Sequence, residues 1–276
     1  MKPPALIAID LDGTLIGPTL AIESRNRAAI ERAVSLGSTI CLASGRMFPA
    51  ARPFATALRL PGPMIVLNGA AVYDAASAAR LYAVPMQPTV ALQAYDRLKA
   101  AGFHIQLYFG ESLYVDEIND FARTYLAISR VEPVVVDDLR ALLDGAPPAE
   151  IGPMKVLAVD TPARVAEYIP KIAARLGDAA LVFKSQPNFL EVTDPGANKG
   201  AALDWIARSR GLDINDIAAI GDSDNDVPML QAAGHSFAVA NATPAARAAA
   251  QRVVASQEKC GVAEALDMLT NGQAVA

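Results

Sequence analysis

Leu6-Ile7-Ala8-Ile9-Asp10-Leu11-Asp12-Gly13-Thr14 sets the reading of the whole chain: a short apolar run ends in two carboxylates one residue apart, then in Gly-Thr. An apolar run of this length without helical spacing fits a central parallel strand. Open α/β sheets bind ligands outside the carboxyl ends of such strands, which puts Asp10 where chemistry is done. Asp-x-Asp also suits phosphoryl transfer, since one carboxylate can attack phosphorus or hold Mg²⁺ while the other handles the leaving-group proton. Asp12-Gly13-Thr14 then lets the backbone turn sharply away. A plain acidic turn after a strand would look the same, and three further segments separate the two readings.

The second segment, Thr39-Ile40-Cys41-Leu42-Ala43-Ser44-Gly45-Arg46, is another β-rich run that closes on a hydroxyl and a glycine before an expected helix. The Ser44 hydroxyl and the Gly45 amide can both donate to a phosphate oxygen, although Ser-Gly after a strand also serves as an ordinary helix cap. In the third, Asn198-Lys199-Gly200-Ala201-Ala202-Leu203-Asp204-Trp205-Ile206, a lysine opens an amphipathic helix against the helix dipole. A bound phosphate would give that lysine a reason, and a solvated surface lysine is the plainer alternative. The fourth, Ile217-Ala218-Ala219-Ile220-Gly221-Asp222-Ser223-Asp224-Asn225-Asp226, again ends a short apolar strand, here in three acids and an asparagine. Such crowding is costly unless a cation neutralises it. An EF-hand loop competes for this reading, but its twelve-residue spacing and terminal Glu are missing. One Asp from this loop and one from the first would make an oxygen-rich Mg²⁺ site.

In their order and strand-end contexts these four segments resemble the haloacid dehalogenase (HAD) superfamily of phosphotransferases, over residues 6 to about 270. The closer likeness is to the Cof-type, subclass IIB phosphatases, because Gly221-Asp222-Ser223-Asp224-Asn225-Asp226-Val227-Pro228-Met229-Leu230 matches that group's Gly-Asp-x-x-Asn-Asp-x-x-Met-Leu. Asn68-Gly69-Ala70, Leu190-Glu191-Val192, Asn241-Ala242 and Gly261-Val262-Ala263 look like the same group. The resemblance implies Asp10 as the nucleophile that forms an aspartyl-phosphate and ligates Mg²⁺. It implies Asp12 as general acid and base, with its backbone carbonyl on the metal, and Asp222 as the third protein ligand. Asp226 would steady the metal's waters or Lys199. Ser44, Gly45, Lys199, Asn225 and the Leu11 amide would hold the phosphate oxygens. Two departures stand out: Ser256-Gln257-Glu258-Lys259-Cys260 replaces a segment with Asn and an acid in many relatives, and Ala240 stands where glycine is common. Neither touches the four motifs.

Composition agrees. With 276 residues, 53% of them hydrophobic, the chain can bury a large core and is expected to form two domains. A net charge of −5 with no basic block argues against nucleic-acid binding. Two cysteines, Cys41 in an expected buried strand and Cys260, do not make a disulfide framework, so a reducing cytoplasm is expected. Because acids interrupt the apolar run early, no signal peptide is expected, and the uncharged stretch from Val227 to Ala246 reads as helix, turn and strand, not a membrane span.

Strands alternating with helices predict an α/β fold with a doubly wound parallel sheet. Residues 23–36 read as the first helix, after a flexible flap from Leu15 to Ala21. Ser44 and Lys199 lie 155 positions apart, far more than one or two βα units need, so an inserted α+β domain is expected, in this family a C2-type cap. The boundaries are set at 1–83 and 188–276 for the catalytic core and 84–187 for the cap, with Pro85 and Pro187 as hinges. In the cap, His104, Gln106 and Tyr108 alternate along one strand face read as solvated, Lys155 and Lys184 are read as surface lysines, and Glu111 and Tyr114 follow a hairpin turn. His235, with no second His nearby, is a poor metal ligand. The expected function is Mg²⁺-dependent hydrolysis of a small soluble phosphomonoester, a sugar phosphate or a phosphorylated cofactor, with neither nucleic acid nor membrane as partner. A phosphomutase of similar fold and a non-catalytic phosphometabolite-binding protein are the alternatives.

Overall fold

A computed structural model describes residues 3–145 and 151–270; the ends of the expected core segments and residues 146–150 of the expected cap lie outside it. The chain begins with β1 (Leu6–Asp10), α1 (Ser24–Ser35), β2 (Thr39–Ala43), α2 (Phe48–Ala57), β3 (Pro63–Val66), β4 (Ala71–Asp74) and β5 (Arg80–Ala83). There follow α3 (Pro88–Ala100), β6 (His104–Phe109), β7 (Ser112–Val115), α4 (Asp120–Ser129), β8 (Val134–Val135), α5 (Leu139–Asp144), β9 (Pro153–Val159), α6 (Pro162–Leu176), β10 (Leu181–Gln186) and β11 (Phe189–Thr193). The last third runs α7 (Lys199–Ser209), β12 (Ile217–Gly221), α8 (Val227–Ala232), β13 (His235–Val239), α9 (Pro244–Ala249), β14 (Arg252–Val254) and α10 (Gly261–Thr270). Two compact units result, one of Met1–Gly45, Ala51–Tyr82 and Asn198–Ala276, the other of Arg46–Ala50 and Ala83–Ala197.

The first unit is built on an eight-stranded sheet in the order β14-β13-β12-β1-β2-β3-β4-β5. β1 lies parallel to both β12 and β2, and the parallel pairing continues outward through β13 and β14 on one side and β3 on the other. Every residue of β1 and β12 is buried, as a continuous apolar run requires when both faces of a sheet are covered. The chain winds outward from β1 through β2 and β3, then returns to β12 on β1's other side and winds away through β13 and β14. The order therefore reverses between β1 and β12, the switch point where doubly wound sheets open a crevice. β4 turns back antiparallel to β3. α1 buries Asn26, Ala29, Ile30 and Ala33, one helical stripe, and the Asn26 side chain accepts a hydrogen bond from the Ala263 amide at 3.0 Å, fastening α10 to it. Leu15 and Ile16 of the expected flap are buried, and Ile16 bridges to both Asp12 and Ile22, so much of that segment is anchored.

The second unit carries a six-stranded sheet, β10-β11-β9-β6-β7-β8. One face is apolar: Ile105, Leu107, Phe109, Val156, Leu190 and Val192 pack with Ala94 and Leu98 of α3, Leu139 and Leu143 of α5, and Val165 and Ile172 of α6. α4, β8 and α5 were not anticipated from the sequence. Tyr114 packs edge-on against Phe109 at 5.8 Å on the apolar side, and Glu111 is exposed. A surface groove of about 580 Å³ between α3 and α6 is edged by Arg97 and Arg175, which sit in the last turns of their helices and complement the dipoles there.

Three expectations need correction. The expected boundary at 187/188 places residues 189–193 in the core, whereas β11 pairs antiparallel with both β10 and β9, so the chain crosses back at 197/198 and Pro187 lies in the β10–β11 hairpin. The second correction concerns the polar face of β6, which is not solvated: His104, Gln106 and Tyr108 are all buried, with Tyr125 of α4 edge-on to Tyr108 at 6.4 Å and to Phe189 at 5.5 Å. Third, Lys155 is 2% exposed and pairs with Glu191 at 3.3 Å, its ammonium 4.4 Å from the Tyr108 ring centroid; Lys184 is exposed as expected.

Candidate active site

Asp10 is the last residue of β1, and Asp222 follows the last residue of β12 directly, so the two strands flanking the switch point deliver a carboxylate each to the same end of the sheet. Asp226 joins them, and one carboxylate oxygen from each of the three lies within 4.8 Å of the others. Lys199, at the start of α7, is fully buried and donates to Asp10 Oδ1 and to Asp226 Oδ1, both at 2.6 Å. Its helix is launched by Asn198, whose side chain caps the Ala201 amide at 2.8 Å, and Gly200 lets the first turn close against Pro228. The opposed dipole is thus met by two carboxylates.

Each carboxylate has a distinct environment. Asp226 is locked, with Oδ2 accepting from the Asp222 and Ser223 amides at 3.0 Å each while Oδ1 takes Lys199. Asp222 Oδ1 accepts from the Thr14 hydroxyl at 2.9 Å. Asp10 Oδ2 is buried with no hydrogen-bond partner. Burial first, then the neighbouring Asp226 charge, pushes the Asp10 pKa well up, with Lys199 pulling the other way. The same two causes raise Asp222 to about 6 against the Thr14 hydrogen bond. Burial alone would depress the Lys199 ammonium, but Asp10 and Asp226 outweigh it and hold its pKa above the ordinary value.

The remaining sequence-derived residues gather around this cluster. Asp12 is exposed just past Asp10, and Gly13 turns the chain at φ +87° where a side chain would overlap the Asp222 carboxylate. Leu11 is buried at the start of the same turn, its carbonyl accepting from the Leu15 and Ile16 amides. Ser44, 1% exposed, follows β2 directly, and Asp10 is in register with Ala43, the residue before it. Asn225 is held from both ends: its Oδ1 accepts from the Ser223 hydroxyl at 2.6 Å, and its Nδ2 donates to Asn68 Oδ1 at 2.7 Å. Asp224 is diverted to the Thr243 hydroxyl at 2.7 Å.

Residues 7–266 match the haloacid dehalogenase-like hydrolase family. The chain belongs to that family. This HAD-like hydrolase is of the Cof type. It is 27% identical to a pyridoxal phosphate phosphatase of Escherichia coli over 94% of this chain and 96% of that one. It is 30% identical to a phosphoglycolate phosphatase of Natronomonas pharaonis, over 95% of this chain and 96% of the relative. A crystal structure from Thermotoga maritima superposes with a TM-score of 0.84 at 29% identity, covering 97% of each chain.

HAD-like hydrolases use a divalent metal, and the residues present here fit one. Two of the three clustered carboxylates share Lys199, Asp10 keeps an unpartnered buried oxygen, and burial has raised the pKa of two of the acids, a cost a bound cation would remove. All-oxygen donors suit a hard cation.

Sequence reasoning gave no role to Thr14, Ser223, Asn68 or Asn241. Asn241 donates to the Gly13 carbonyl at 2.8 Å and accepts from the Gln257 amide at 2.8 Å, tying the loop after β13 to the turn that carries Asp12. Its resemblance to the family was the only signal in the sequence. No helix among the described residues is long and apolar enough to cross a membrane.

Proposed function

We propose that this HAD-like hydrolase is a Mg²⁺-dependent phosphatase that hydrolyses a small phosphomonoester, a sugar phosphate or a phosphorylated cofactor, through an aspartyl-phosphate on Asp10. The observation that carries the reading is the state of Asp10: one oxygen fixed by Lys199, the other buried without a partner, at the switch point of the sheet. Asp10, Asp222 and the backbone carbonyl of Asp12 would hold the metal, which supplies positive charge to the phosphoryl oxygens and lets the anionic nucleophile approach an anionic substrate.

The chain's own groups account for the rest. The Asp10 carboxylate attacks phosphorus as the bond to the leaving oxygen breaks, and Asp12, exposed just past Asp10, acts as the general acid that gives that oxygen a proton. The Asp12 carboxylate then takes a proton from water as the water oxygen attacks the phosphorus of the acyl phosphate, releasing inorganic phosphate and restoring Asp10. Ser44, Gly45, Lys199, Asn225 and the Leu11 amide would bind the phosphate oxygens, and Asp226 keeps Lys199 placed. We assign selectivity for the esterified group to the inserted unit. Relatives that act on pyridoxal phosphate and on phosphoglycolate support the small-phosphomonoester class.

The test is phosphate release from a panel of sugar phosphates, nucleotides, pyridoxal phosphate, flavin mononucleotide and p-nitrophenyl phosphate, with and without Mg²⁺. Metal-dependent release is expected, and activity that survives exhaustive chelation would refute the metal role of Asp222.

A further inference from the structure

The turn Leu67–Gly69 after β3 contains no acid, base or nucleophile, yet it touches three of the four motifs. The Asn68 amide donates to the Ser44 carbonyl at 3.1 Å. Its side-chain Oδ1 takes the Asn225 Nδ2 bond at 2.7 Å and lies so close to Gly45 that a Cβ there would come within 2.8 Å of it. A Cβ on Gly69 would overlap the Asn198 carbonyl and crowd the Lys199 amide. The backbone is held in an unusual conformation to do this, with φ of 51° at Leu67, 56° at Asn68 and 98° at Gly69. Positive φ at a leucine is a genuine outlier, and such strain persists where the surroundings over-determine it, typically at functional sites.

Left-handed backbone alone does not explain an asparagine at 68, because glycine adopts it more readily. What glycine lacks is the side-chain amide. Ser223 and Asn68 together fix the Asn225 side chain with its oxygen toward Ser223 and its nitrogen toward Asn68, which leaves the second Nδ2 hydrogen as a donor. Released from Asn68, the Asn225 amide could rotate and turn its oxygen to the phosphate, a repulsive arrangement. We infer that Asn68 is a positioning residue, which orients the Asn225 amide so that this hydrogen meets a phosphate oxygen and which couples the Ser44-Gly45 turn to the acidic loop. The inference rests on the phosphatase reading above.

Asn68→Gly removes the amide and keeps a residue suited to the backbone. kcat, KM and inhibition by inorganic phosphate are measured with p-nitrophenyl phosphate and Mg²⁺ for the wild type, Asn68→Gly, Asn225→Ala and the double variant, alongside Asp10→Asn. Asn68→Gly is expected to lower kcat/KM about tenfold and to weaken phosphate inhibition by a similar factor, while the double variant is no worse than Asn225→Ala alone. Fully additive losses, or an Asn68→Gly enzyme with wild-type constants, would overturn the role of Asn68 while Asp10-dependent turnover kept the phosphatase reading intact. A wild type with no turnover removes both. If Asn68→Gly does not fold, a crystal structure of the wild type with Mg²⁺ and inorganic phosphate decides. Asn225 Nδ2 bonded to both Asn68 and a phosphate oxygen supports the inference, and an Asn225 amide turned away from the phosphate contradicts it.

Discussion

Lys199 lost all its solvent to sit between Asp10 and Asp226, an arrangement that water would make cheaper to leave apart. Buried ion clusters of this kind are often no more stable than apolar replacements, and the role we propose for this one is catalytic. The sequence betrayed Lys199, Asp10, Asp222 and Asp226 because each contradicts its local setting, a cation in a first helical turn or acids at the ends of apolar strands. Neutral residues such as Thr14 and Asn68 contradict nothing locally, and only the fold shows what they bind. His104 gives a separate consequence of burial. It is 5% exposed with neither ring nitrogen hydrogen-bonded, and burial lowers its pKa against the opposing pull of Asp116 and Glu117. The unfolded chain takes up the proton at about pH 6.5 and the folded chain resists it, so the inserted unit is expected to lose stability as pH falls below about 6.5. Denaturant unfolding of the wild type and His104→Leu between pH 5 and 8 checks this: the wild type should show the steeper decline at the acid end, and parallel profiles would contradict it.

Alternation along β6 told which residues share a face, and correctly so, but a period of two says nothing about what covers that face. The polar side of the inserted sheet was therefore read as solvated when it is buried beside Tyr125, with the Lys155–Glu191 pair enclosed in it. β11 was misplaced for a related reason. An apolar five-residue strand looks the same in either sheet, and its antiparallel partners β9 and β10 lie in the chain before it. β1, β2 and β12 were legible because each ended in a motif. Lys155→Met removes the cation paired with the buried Glu191 carboxylate, which keeps its hydrogen bond from the Ser185 hydroxyl, and should cost about 3–5 kcal/mol, whereas Lys155→Met with Glu191→Leu should recover a large part of that loss. Chemical denaturation of the wild type, Lys155→Met, Glu191→Leu and the double variant measures this, and a double variant as unstable as the sum of its two single changes would show that the pair is not coupled.

The chain forms two compact units around separate sheets, and all the proposed metal-binding residues belong to the first. A 155-position gap between motifs announced the insertion, while its return point depended on strand pairing that sequence does not display. The single tryptophan, Trp205, also lies in the first unit, stacked on Tyr82 at 5.0 Å. A cation that binds only the folded core stabilises it by about 2.7 kcal/mol at a hundred times its dissociation constant. Mg²⁺ should accordingly raise the unfolding midpoint followed by Trp205 fluorescence in wild type, and raise it less in Asp222→Ala. Equal shifts in the two proteins would place the cation elsewhere.

In the mechanism we propose, covalent capture at Asp10 is the step from which the rest of the chemistry follows. The decisive measurement is acid quenching of the enzyme during turnover of its best substrate with Mg²⁺, followed by peptide mass spectrometry of the wild type and a folded Asp10→Asn. A phosphoryl group on the peptide carrying Asp10 in the wild type, absent together with turnover in Asp10→Asn, is the predicted result; undiminished turnover in Asp10→Asn, or phosphorylation of a different residue, would contradict it.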